Sequence, residues 1–180
     1  LQFADRTVTV SRPSVDLHAY NQSTYQDRFS NASFSNSNGT ANWTTSWSEA
    51  NDRTGGNVVT SGEIRISNGA LEFGRDTGTP PNALGATITR AIDLSGVGSG
   101  TATLNFSWSQ NTFNRLDTNE KVEVQFSNDG VTWVTLQTLG NGSNSSGNNN
   151  VNLNLTGPFT ANAGIRFAFS GVTDTSGFVR

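Results

Sequence analysis

Cysteine is absent from the 180 residues, so neither a disulfide framework nor a thiolate metal site can be invoked. Histidine occurs once, at His18. It has no cysteine to share a metal with, and no G-x-S-x-G elbow exists for it to serve. In a polar connector such a residue reads as solvated, not catalytic. Lysine also occurs once, at Lys121, and the formal net charge is -3. No basic cluster exists, which argues against a nucleic-acid partner. No apolar run approaches the roughly 20 residues of a membrane-spanning helix, and no secretory leader opens the chain. The sequence reads as an internal slice of something longer, or as a processed piece.

Charged residues make up only 14%, while Gly, Asn, Ser and Thr are abundant. Such a composition can accompany disorder. Four Trp and eleven Phe, most of them in alternating segments, argue instead for a packed fold. The clearest segment is EKVEVQFSNDGVTWVTLQTL, residues 120–139. Two runs of period two flank Asn128-Asp129-Gly130, which is hairpin grammar in both pattern and turn chemistry. A second hairpin reads EIRIS-NG-ALEF, with Ile64, Ile66, Leu71 and Phe73 predicted on one face.

The remaining chain repeats this grammar. ATITRAIDL offers Ile88 and Ile92 to a core. Leu104, Phe106 and Trp108 share one phase, as do Val151, Leu153 and Leu155, and then Ile165, Phe167 and Phe169. Asp27-Arg28-Phe29 is expected as the first strand of the main domain. The polar stretch 31–56 is long for a loop and is expected to hold some strand. Eight or nine strands at this spacing predict an all-β fold, a two-sheet antiparallel β-sandwich of jelly-roll type. Residues 1–24 read as an N-terminal strand segment and connector from a preceding region. Residues 25–180 read as the sandwich, cut short in its last strand at Phe178-Val179-Arg180.

The succession DRFSNASFSNSNGTANWTTSWSE, SGEIRISNGALEF, AIDLSG, TATLNFSWS and EKVEVQFSNDGVTWVTLQTL resembles a jelly-roll, MAM-like accessory module of large bacterial secreted and surface proteins. Freedom from cysteine fits that class better than small disulfide-stapled ectodomains. The opening LQFADRTVTV resembles the closing strand found after the calcium-repeat (RTX) regions of type I secreted adhesins and exoproteins. The calcium nonapeptide itself is absent. The resemblance implies a secreted or cell-surface location and neighbouring domains in the same chain, with no membrane insertion. It also implies a structural calcium where loops meet a sheet edge.

Hard oxygen ligands for calcium come from acids in loops. Glu49 and Asp52 form one candidate pair and Asp117 and Glu120 another, with Asp27 a third location. The competing reading makes these acids turn formers and strand-end solvators. Ser127-Asn128-Asp129-Gly130-Val131-Thr132-Trp133 is one residue short of the sialidase Asp-box, and Asp129 is expected to satisfy turn amides. A sugar site needs an aromatic platform among polar groups. Trp43 and Trp47, in an Asn- and Thr-rich stretch, are the candidates, against a competing role in core packing. Trp108 is expected in the core, and Trp133 against its own hairpin. Glu63, Glu72 and Glu123 alternate out of phase with the apolar residues and read as a solvent face, not as paired catalytic acids.

These readings converge on a non-catalytic extracellular module acting in adhesion or ligand binding, with a glycan or cell-surface ligand as partner. The alternatives are a carbohydrate-binding module of an exported hydrolase and a structural stalk or filament subunit.

Overall fold

A computed structural model describes residues 23–52, 57–74, 85–98, 100–110, 121–140 and 149–170. Nine strands run through them. They are β1 (Ser48–Ala50), β2 (Ile64–Ser67), β3 (Ala70–Phe73), β4 (Thr87–Ile92), β5 (Ala102–Trp108), β6 (Lys121–Ser127), β7 (Val134–Gly140), β8 (Asn149–Leu155) and β9 (Ala163–Ser170). The helical content described is a single 3-10 turn at Ser95–Val97.

Alternation dictates how these strands stack. One sheet has the order β1-β4-β9-β6-β7, all neighbours antiparallel. Its inner face carries Ile88 and Ile92 of β4, Ile165, Phe167 and Phe169 of β9, and Val122, Val124 and Phe126 of β6. Cross-strand partners put them in register, Ile88 beside Phe167 and Phe167 beside Val124. Facing them are two ladders, β2-β3 and β5-β8. The ring of Phe167 joins the layers, lying 5.9 Å from Phe73 of β3 and 5.9 Å from Phe106 of β5. Chain neighbours pair directly only in the two hairpins. Elsewhere the chain crosses between layers, the antiparallel jelly-roll plan that the sequence predicts.

Both hairpins follow from their turns. Asn68 and Gly69 have φ of 51° and 74°, the left-handed pair that a tight primed turn requires. That turn sets Ile64 opposite Phe73 and Ile66 opposite Leu71, and all four are buried. In β6-β7 the register slips between Val124 and Gln125, so β7 carries one extra residue, Leu136. The expected strand at Asp27-Arg28-Phe29 does not form. Phe29 takes φ of 50°, which interrupts extended backbone, and the segment is held by side-chain bonds instead. Within the described part of residues 31–56, only β1 is strand. The strand expected in residues 1–10 and the last strand at 177–180 lie outside the described residues.

A buried charge interrupts the inner face. Arg90 sits between Ile88 and Ile92 in the core phase, with its side chain 2% exposed. Its Nη1 donates to Asp27 Oδ2 at 2.8 Å, its Nε to the Thr45 carbonyl and its Nη2 to the Asn36 carbonyl. Burial lowers its pKa, and the Asp27 carboxylate opposes that shift. The arginine thereby binds residues 27–45, which contain no strand, to the sheet.

Candidate functional site

The outward face of the five-stranded sheet is built by the opposite phase of the same strands. Register partners form a row that crosses every strand: Ser48, Thr89, Arg166, Gln125 and Thr135. The next row contributes Ala50, Thr87, Ala168, Glu123 and Thr138. Small side chains lie on β1 and β4, and the long polar ones gather on β6 and β9. The polar groups are joined. Lys121 Nζ donates to Glu123 Oε1 and Gln125 Nε2 to Glu123 Oε2, while Arg166 Nε donates to Gln125 Oε1 at 2.6 Å. The Lys121 hydrogen bond holds the Glu123 carboxyl below its ordinary pKa. Lys121, Glu123 and Arg166 are half-buried and Gln125 is buried, so they form a fixed array and not a fringe of mobile chains.

Trp133 completes this face. The Arg166 guanidinium lies 4.3 Å from its ring centroid, a cation–π contact. The ring extends over Gly164, where an added β-carbon would stand 3.1 Å from Trp133 Cη2. A single added carbon would push the indole by a few tenths of an ångström, and a branched side chain would need more room. The preceding turn sets its position. Asp129 Oδ1 accepts from the Val131 and Thr132 amides at 2.8 and 2.7 Å, and Oδ2 accepts from the Thr132 hydroxyl. These hydrogen bonds depress the Asp129 pKa. This is the turn-capping role expected of Asp129. Trp133, expected against its own hairpin, instead reaches across to β9.

The sequence-predicted aromatic pair lies elsewhere. Trp47 is 5% exposed; its ring packs 6.0 Å from Phe167, and its Nε1 donates to Asp27 Oδ2. That burial leaves Trp47 no open ring face. Trp43 is half-buried, 6.0 Å from Trp47, with the Arg90 guanidinium 4.6 Å from its ring centroid. Trp108 is buried in the core as expected.

Of the four acids singled out for calcium, Asp117 and Glu120 lie outside the described residues, as does His18. Asp52 is buried, and its two carboxylate oxygens accept the Glu63 and Ile64 amides. Glu49 of β1 points to the inner face and is 8% exposed. Its Oε1 is buried and has no hydrogen-bond partner among the described residues. Burial, then the nearby charge of Asp52, raises its pKa to about 7. Such a carboxylate fits a proton or a cation. Among the described residues, however, no three acids or histidines gather as a metal-binding group. Asp27 is committed to Arg90. Glu63 and Glu72, expected on a solvent face, are 1% and 0% exposed, with Glu72 paired to Arg65. Alternation placed them out of phase with their apolar neighbours, yet both are buried.

Sequence reasoning missed the outward face because its members come from separate strands. The available signal was the polar phase of KVEVQFS together with Arg166 in IRFAF; only the β6-β9 register unites them. No family model matches the sequence, and no curated protein does. A solved structure described as "CBM4 structure and function" is similar, at 15% identity and a TM-score of 0.44, over 74% of this chain and 87% of that one. A likeness at this level transfers no site and no ligand. No helix of the described residues is long and apolar enough to cross a membrane.

Proposed function

We propose that this chain is a non-catalytic, glycan-binding β-sandwich module of an exported protein, and that the outward face of its five-stranded sheet is the binding surface. One observation carries this reading: an aromatic ring, Trp133, stands beside a pre-bonded row of Arg166, Gln125 and Glu123 on one sheet face. Sugar rings present an apolar face and a polar rim, and this surface offers a partner for each. From Lys121 to Gln125 the polar row extends about 13 Å, the rise of four strand residues. That length suits an oligosaccharide better than a single ring. Because the donors are already fixed by one another, little ordering entropy is lost on binding. An adhesive role is the same binding directed at glycans on a surface.

A structural calcium belongs to this reading as a separate proposal, with Glu49 as the ligand that fits best because its buried oxygen lacks a partner among the described residues.

The test is a glycan array followed by titration calorimetry. Wild-type protein should bind, and Trp133→Ala should weaken binding at least about tenfold, or about 1.4 kcal/mol, with the fold intact. A blank array across neutral and acidic glycans would refute the reading. Binding that survives Trp133→Ala unchanged would move the site off this face.

A further inference from the structure

Resting on that reading, we infer that the outward face selects acidic glycans: the open fork of Arg166 takes a sugar carboxylate while the ring lies against Trp133.

Arg90 has all three nitrogen types engaged, one of them by the carboxylate of Asp27. Arg65 is paired with the carboxylate of Glu72. Arg166 differs. Its Nε is bonded to a neutral amide oxygen, Gln125 Oε1, and among the described residues its two terminal nitrogens have no hydrogen-bond partner. A half-buried guanidinium with two parallel N–H donors unused matches the geometry of a carboxylate, which it can hold by two charge-assisted bonds.

Gln125 keeps that fork open. Its Nε2 faces the Glu123 carboxylate at 2.9 Å and its Oε1 faces Arg166. The amide therefore stands between the acid and the guanidinium and prevents a direct ion pair. Glu123 is held instead by Lys121 on Oε1 and by Thr135 on Oε2. With Lys121 and Arg166 against Glu123, the array carries one net positive charge. The whole chain is formally -3, so this local sign is not inherited from its composition. Trp133 then supplies the apolar wall, and its face toward Arg166 strengthens the cation's hold on that place.

The test compares oligogalacturonate and oligoglucuronate with their fully methyl-esterified forms, which keep the rings and remove the charge. By calorimetry at low salt, at least one acid form should bind about tenfold more tightly than its ester, the scale of a bidentate charge-assisted contact. Raising the salt should shrink that ratio. Arg166→Gln should abolish the preference. Gln125→Glu, which sets a carboxylate on the fork, should abolish it too; Arg166→Lys should keep part of it. Circular dichroism and melting checks that each variant is folded. Equal affinity for acids and esters, or neutral glycans alone bound on the array, overturns the acidic preference and leaves glycan binding standing. No binding of any glycan, charged or neutral, overturns both.

Discussion

The guanidinium of Arg90 lies 4.6 Å from the ring centroid of Trp43 and 5.6 Å from that of Trp47, enclosed between the sheet and the irregular segment that precedes β1. This cluster, together with the Thr44 amide on the Ala91 carbonyl and the Ala91 amide on Thr45 Oγ1, attaches residues 27–47 without a strand ladder. The price is a buried charge, offset by Asp27 and two backbone carbonyls. Removing one partner leaves the other uncompensated in a low-dielectric interior. Arg90→Ala or Asp27→Ala should each cost about 3–5 kcal/mol in urea unfolding. The double replacement Arg90→Met with Asp27→Leu should recover a large part of that loss. If the double variant is as unstable as the sum of the singles, the pair is not coupled as described.

Trp47 and Trp133 should separate stability from binding. Trp47 is packed among Phe29, Trp43 and Phe167, so Trp47→Ala opens a cavity and should cost about 3–5 kcal/mol. Trp133 is half-buried on the outward face and is not among the buried core residues, so Trp133→Ala should cost well under half as much while weakening glycan binding at least about tenfold. Paired denaturation curves decide it. An equal stability loss in the two variants would make Trp133 a core residue in function.

Much of the fold is legible in the sequence because period two is a local property. Val122, Val124 and Phe126 announce β6 by alternation, and Asn68-Gly69 announces its hairpin by turn chemistry. Arg90 is not legible. It occupies a core position in TITRAI, where a charge argues for the solvent face until Asp27, more than 60 residues earlier, is known to meet it. The outward face fails for the same reason: Gln125 and Arg166 are 41 residues apart and become neighbours only through register. Trp43 and Trp47 look like a platform in sequence because polar residues surround them, yet the indoles pack on Arg90 and, for Trp47, on Phe167.

Gly164 and Asp129 should act on the site without touching ligand. Gly164→Val places side-chain atoms where the Trp133 ring lies. Asp129→Ala removes the acceptor of two amides and a hydroxyl that shape the turn. Each should alter the tryptophan fluorescence and weaken glycan binding at least about tenfold. Because the folded-state pKa of Asp129 is depressed, its contribution is present above the ordinary carboxylate pKa and is lost as pH falls through the folded value. Wild-type stability should therefore fall in strong acid more steeply than that of Asp129→Asn. Unchanged binding in Gly164→Val would show that Trp133 does not need its place on β9.

Glu49 predicts a pH dependence of the opposite sign. Its folded-state pKa is raised to about 7, above the unfolded value of 4.5. The folded state thus holds the proton more tightly, and the stabilisation is complete below the unfolded pKa and lost as pH rises through about 7. In calcium-free buffer containing EGTA, the melting temperature should rise as pH is lowered from 8 to 5, and Glu49→Gln should flatten that rise. Calcium, if the buried oxygen takes it, competes with the proton. Saturating calcium at pH 8 should then raise the melting temperature of the wild type but not of Glu49→Gln. A wild-type midpoint indifferent to calcium, with the pH dependence intact, leaves Glu49 as a proton site and removes the metal.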